Sequence, residues 1–121
     1  MKCYRELLFW QRGIDLVVDV YKLSRKLPTE ERYALCSQMH RAAVSIPANI
    51  AEGHARSSSK EFLRYLSISL GSLAELETHL TIAHKLTYIS FEEVDSMFSR
   101  MAVLGKGLRN LQKSMQQRVV H

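Results

Sequence analysis

Disulfide chemistry has almost nothing to work with in this chain. Its 121 residues include two cysteines, Cys3 and Cys36, and the first sits beside the N-terminus. Two cysteines make no framework, which excludes the small stapled scaffolds of secreted proteins and fits a reduced, intracellular one. Long apolar runs are missing as well: no stretch approaches the roughly 18 residues that a membrane span needs. The opening Met-Lys-Cys-Tyr-Arg-Glu, with Asp15 and Asp19 soon after, lacks the apolar stretch and small-residue cleavage site of a signal peptide, so a cytoplasmic location is expected. The five glycines are scattered and form no Walker or dinucleotide pattern. Acidic residues stop at Asp95.

What remains is a chain built for helices. An apolar share of 46% and a charged share of 24% are those of an ordinary globular protein, and the length suits one domain with an unstapled core. Nothing argues for strands. The first helix is expected over about 6–26, with Trp10, Ile14, Val17, Val18, Tyr21 and Leu23 at helical spacing, ended by Leu27-Pro28. The second is expected over 29–52. Thr29 is its N-cap, Glu30 and Glu31 fill its acidic first turn, and Gly53 is its C′ stop. Its apolar positions are Tyr33, Leu35, Met39, Ala42, Ala43, Ile46 and Ile50. Pro47 lies inside it and predicts a kink near residues 43–46. Ser58 and Glu61 read as a capping box opening a third helix over 59–86, with Phe62, Leu66, Leu70, Leu73, Leu76, Leu80 and Ala83 as its stripe. Ser90 and Glu93 open a fourth over 91–117. The short connections make successive helices antiparallel neighbours, an all-α up-down-up-down four-helix bundle in a single domain.

Catalytic and metal constellations are weak. Di-iron bundles use inward Glu-x-x-His pairs, and no acidic residue here has a histidine three positions on. Glu75 and His79 are one turn apart without a second pair; an ion pair worth about 0.2–0.5 kcal/mol is the simpler account. Cys36 and His40 are also one turn apart, but a helix-interior cysteine is usually a buried small hydrophobe. No cofactor is implied.

Packing leaves a clearer mark. Arg41, Ser45, Asn49 and Glu52 fall on one face of the second helix, around Pro47. Ser67, Gly71, Glu75 and Thr78 do the same on the third. A mid-helix glycine costs about 1 kcal/mol relative to alanine, so a tight helix contact centred on Gly71 is expected. Arg41, with a carboxylate not identifiable from spacing, would fix its register. The alternative is that these polar residues line a binding groove.

Charge supplies the remaining signal. The net charge is +5. Past Asp95 the charged residues are Arg100, Lys106, Arg109, Lys113 and Arg118, a composition that favours polyanions; the bland account is a solvated helix face. No aromatic platform of the kind that reads RNA bases accompanies them, so contact through backbone phosphates is expected.

The run from Gln38 through His40-Arg41-Ala42-Ala43-Val44-Ser45-Ile46-Pro47-Ala48-Asn49-Ile50-Ala51-Glu52 to Gly53 resembles the signature of the bacterial proteins encoded in intervening sequences of 23S rRNA genes. Lys60 to Leu66, Gly71 to Leu80, Phe9-Trp10, and Pro28 with Glu31 fit the same pattern. The likeness covers roughly residues 7–89 and departs at His40, where the family usually has arginine. It implies a homopentameric barrel of four-helix bundles around a central channel. It also implies kinship with the accessory variability determinant of diversity-generating retroelements, a basic pentamer that partners a reverse transcriptase and binds nucleic acid. The expected function is therefore a non-enzymatic, oligomeric bundle that binds nucleic acid, structured RNA favoured, without metal or membrane. The alternative is a scaffold for a protein partner that processes nucleic acid.

Overall fold

The computed structural model describes residues 7–120, with side chains through Gln117. Among the described residues the chain is all helix and connection. The elements are α1 (Leu8–Ser24), a 3₁₀ turn (Thr29–Glu31), α2 (Leu35–His54), α3 (Ser59–Lys85) and α4 (Phe91–Val120). The four α-helices form a bundle in which α1 packs on α2, α2 on α3, α3 on α4 and α4 back on α1. One core runs through it, with Leu16, Val20, Met39, Ile46, Ile50, Leu66, Leu76, Leu80, Leu104 and Leu108 almost fully buried.

Three expectations about the helices need correction. The start at Glu6 lies outside the described residues, and α1 bears out only part of the expected stripe: Leu23 is buried and Trp10 and Val17 pack against the core. Gly13, Leu16, Val20 and Leu23 face inward, while Ile14, Val18 and Tyr21 stay 37%, 47% and 42% exposed. Two apolar stripes share this helix, and the choice between them depends on what α2 and α4 present to it. The second helix does not begin at Thr29. Thr29–Glu31 is a separate 3₁₀ turn, Tyr33 is exposed, and Ala34 breaks the chain with φ −118° and ψ −100° before α2 starts at Leu35. Glu31 takes over the end: one carboxylate oxygen faces the Leu35 N–H at 3.5 Å and the other accepts from the Tyr88 hydroxyl at 3.0 Å. Lastly, Gly53 is no left-handed stop. It lies within α2, which ends at His54 with Ala55 still right-handed. The helix is not interrupted at Pro47; the buried ring packs against Gly13 of α1, where an added Cβ would lie 3.2 Å from the Pro47 Cβ.

The serine caps form as their spacing demands. Ser90 and Glu93 make the reciprocal box, with the Glu93 N–H on Ser90 Oγ at 3.1 Å and the Ser90 N–H on the Glu93 carboxylate at 2.9 Å. Ser58 Oγ accepts the Glu61 N–H at 3.1 Å, and the Glu61 carboxylate turns to Arg64. The α3–α4 connection is a Schellman turn: the Tyr88 N–H reaches the Ala83 carbonyl and the Thr87 N–H that of His84. It places Thr87 at φ 69°, a left-handed conformation that β-branched residues resist.

Glu93 also clasps α4 to α1 by accepting a hydrogen bond from Lys26. That bond, reinforced by the Ser90 N–H, holds its carboxyl at about 2, below the ordinary 4.5. A depressed carboxylate contributes stability that is complete above its unfolded value and lost as pH falls through its folded value. Stability should therefore decline between about pH 4.5 and 2, with a shallower decline in Glu93→Gln, as measured by urea unfolding across that range. Replacing Thr87 with glycine should raise stability by about 0.5–1 kcal/mol, because the left-handed penalty on threonine exceeds the extra chain entropy of glycine; the urea midpoint checks this.

Candidate nucleic-acid interface and assembly face

The seam between α2 and α3 carries the residues the signature run singles out. Ser69 Oγ donates to the Ile46 carbonyl at 2.9 Å, and Ser72 Oγ donates to Ser45 Oγ at 2.8 Å. Asn49 Nδ2 donates to the Ser45 carbonyl and hydroxyl at 2.8 and 2.9 Å. The close approach is real, but its glycine is Gly53 rather than Gly71. A Cβ at Gly53 would lie 2.6 Å from the Tyr65 Cβ, whereas nothing stands within 4 Å of one at Gly71. Spacing places Gly71 on a face with Glu75 and Thr78 correctly; it cannot say whether that face turns inward. It turns outward, and Ile68 and Ile82 beside it are 40% and 41% exposed.

Arg41 forms no ion pair or hydrogen bond among the described residues. It lies exposed beside a shallow cup shared with Tyr21, His40, Val44 and Ser45. The expected carboxylate partner is thus not among the described residues. Glu52 is bonded instead to Arg56, at 3.0 Å, and to the Tyr65 hydroxyl at 3.3 Å. Glu75 is exposed, 3.8 Å from His79 Nε2.

The histidine and cysteine of α2 face α1. Ser24 Oγ has one proton, which it donates to the Tyr21 carbonyl at 2.8 Å, so the 2.7 Å contact to His40 Nε2 is a bond it accepts. His40 Nε2 then carries a proton, and burial pushes the ring's pKa down, favouring the neutral form. Its ring stacks on Tyr21 at 3.8 Å. Cys36 Sγ is 3.5 Å from the Ser24 carbonyl, and burial, followed by the Glu31 charge, pushes its thiol up. Serine stands between the cysteine and the histidine, and the arrangement packs α1 on α2. No group of three or more His, Cys, Asp or Glu that could hold a metal exists among the described residues, and none of their helices is long and apolar enough to cross a membrane.

The basic residues of α4 diverge. Arg100 turns toward α1 and bonds Asp19 at 2.5 Å. Arg109 folds back over Gly105, with Nη1 3.3 Å from a Cβ built there, and borders the α3–α4 cleft that Glu77 also lines. Lys106 and Lys113 project into solvent. The Arg118 side chain lies outside those described. Gln112 Nε2 donates to Ser67 Oγ at 2.9 Å, which sets the second half of α4 beside the first turns of α3. Lys113 thereby comes to the end of the bundle that carries Arg56, Lys60 and Arg64.

Those three residues lie before the acid-free tail and alternate with Glu52 and Glu61, so net charge along the sequence does not single them out. They surround an aromatic: the Arg56 and Arg64 Cζ atoms lie 5.2 and 5.4 Å from the Tyr65 ring centroid. The Arg56–Ser57–Ser58–Ser59–Lys60 run, with Arg64 one turn beyond Lys60, was the available signal.

The chain matches the family described as 23S rRNA-intervening sequence protein over residues 5–110. A crystal structure of a protein of unknown function from the S23 ribosomal protein family of Bacteroides thetaiotaomicron superposes with a TM-score of 0.79. The alignment covers 88% of this chain and 99% of that one at 24% identity, a likeness of fold. No curated protein matches.

Because Arg41 has no partner among the described residues, Arg41→Ala should leave the unfolding free energy of dilute, unassembled protein within about 0.5 kcal/mol of the parent. Gly53→Ala should cost about 1–3 kcal/mol by overpacking against Tyr65. Urea unfolding of both variants is the check.

Proposed function

We propose, from the premise that this chain belongs to the 23S rRNA-intervening sequence protein family, that it is a non-enzymatic, self-assembling bundle that binds structured RNA by its basic end. The observation that carries the reading is that exposed Lys113, on the half of α4 that Gln112 ties to Ser67, comes to the end of the bundle that carries exposed Lys60 and Arg64, with Lys106 exposed further along the same helix. Cations grouped on one end attract a polyanion, and each phosphate contact releases counterions. Acidic residues gather toward the other end, where Glu30, Glu31, Glu92, Glu93 and Asp95 offset Arg25, Lys26, Arg32 and Lys85. A nucleic acid approaching such a molecule is oriented before it touches. In this reading α2 and α3 run antiparallel, since the α2 partners fall from Glu52 to Ser45 as those on α3 rise from Tyr65 to Ser72.

Self-assembly is supported by two unlike apolar faces that the single bundle leaves uncovered. One joins Ile14, Val18 and Tyr21 of α1 to Val44 of α2. The other runs along α3 through Ile68, the open space over Gly71, and Ile82. Faces that differ meet head to tail, and a head-to-tail contact that closes makes a ring, of which the homopentamer is the form we favour. Arg41, unpaired beside the first face, and Glu75, exposed on the second, supply opposite charges.

RNA binding followed by fluorescence anisotropy across a salt series tests the first claim. Affinity should fall steeply between about 50 and 200 mM salt, and reversing Lys106, Arg109 and Lys113 to glutamate should abolish binding. Absent binding at low salt, or binding indifferent to the reversals, overturns it. Light scattering on the eluting protein tests the second: the parent should be oligomeric, and Gly71→Trp should reduce the mass while helicity by circular dichroism is kept. A monomeric parent overturns it.

A further inference from the structure

We infer that Tyr65, with the guanidiniums of Arg56 and Arg64 packed on it, forms a subsite for an unpaired nucleotide where α2 passes into α3. This rests on the RNA-binding reading above and names the kind of RNA element that this part of the basic end takes.

The cluster is built from the seam outward. Gly53 lets Tyr65 lie against the α2 backbone, closer than any side chain at 53 would allow. The phenol oxygen is then held by two partners, accepting from Arg56 Nη2 at 2.9 Å and donating to Glu52 at 3.3 Å. Arg56 and Arg64 stand at the ring with their guanidinium carbons 5.2 and 5.4 Å from its centre. The ring and carboxylates orient the two planes, yet the side chains remain 47% and 66% exposed. Lys60, also exposed, precedes Arg64 by one helical turn and so shares its side of α3.

Three physical points select the ligand. A phosphate contact needs charge and no aromatic, so a tyrosine supporting two planar cations exceeds what a duplex backbone requires. Flat guanidinium and aromatic surfaces take the face of a base, and a base offers its face only when it is out of the helical stack. The carboxylates are weak competitors: Glu61 reaches Arg64 at 3.4 Å across exposed surface, and such pairs hold loosely enough for a phosphate to replace them. The unpaired base stacks on Arg64 and the Tyr65 edge, and its phosphate meets Lys60.

The experiment uses the full chain and two RNA probes: a hairpin with 2-aminopurine in a single-stranded loop, and the fully paired duplex of the same length. The variants are Arg64→Ala and Arg64→Lys, at an exposed position where the melting temperature should not change. Stacking should quench the loop fluorophore on binding by the parent. Arg64→Lys keeps the charge and removes the plane, so it should lose the quench and weaken hairpin binding by about tenfold, the scale of one stacked base, while leaving duplex affinity unchanged. Arg64→Ala should do the same to the hairpin and weaken the duplex slightly. If parent and Arg64→Lys bind the hairpin alike, or the two probes weaken equally in both variants, Arg64 is a simple charge and the subsite is overturned while RNA binding stands. If the parent binds neither probe, the RNA-binding reading itself falls and the subsite with it.

Discussion

Backbone-to-backbone closeness along the α2–α3 seam is the constraint on which the other features depend. Ser45, Ser69 and Ser72 place hydroxyls where larger side chains would force the helices apart, and the absence of a Cβ at Gly53 admits Tyr65. The polar atoms introduced there are matched: Ser69 finds a carbonyl and Ser72 finds Ser45. Unmatched, each would cost about 1–3 kcal/mol in a buried setting. With α2 and α3 locked at this spacing, Pro47 sits against Gly13 on the opposite flank, and α1 is drawn in beside them. The tightness of one seam thus sets the positions of three helices.

The outward consequences follow from the same lock. Rotating Ser45 and Asn49 into the seam leaves Arg41 and Val44 at its outer margin. Rotating Ser69, Ser72 and Leu76 inward leaves Ile68, Gly71 and Glu75 outside. The surfaces proposed for assembly and binding are therefore the complements of the packing surfaces. At the end of the seam the geometry delivers Tyr65 to the surface with arginines around it, a juxtaposition of residues nine and one positions away that only the turn between α2 and α3 brings together. α4 is held more loosely to α1, by Asp19 with Arg100 and Lys26 with Glu93, and its long second half adds cations to the end where the arginines lie.

Much of the fold was legible locally. The stripe of α3 repeats at helical spacing and is buried nearly as expected, and the two serine boxes announce their helices because a cap is an interaction between residues three apart. Legibility failed where two local solutions compete. α1 carries two apolar stripes of similar strength, so its periodicity identifies a helix without identifying its inner face. The start of α2 looked well capped at Thr29, but Glu31 finds Leu35 and Tyr88, the latter 57 positions away, and the long-range bond decides where the helix begins. At the candidate site the basic tail was visible as charge, but the diversion of Arg100 to Asp19 and of Arg109 along its own helix was not.

Family membership, helix number, the capping boxes and the polar small-residue face were determined by sequence alone, because each depends on residues within a few turns of one another. Which glycine admits a neighbour, whether Arg41 is paired, and where the cations gather were decided by tertiary structure. Helical periodicity fixes the angle between side chains on one helix and leaves the rotation of that helix in the bundle free. Only packing against the other helices removes that freedom. It turned Gly53 inward and Gly71 outward, and so separated the residues that hold the bundle together from those left to meet something else.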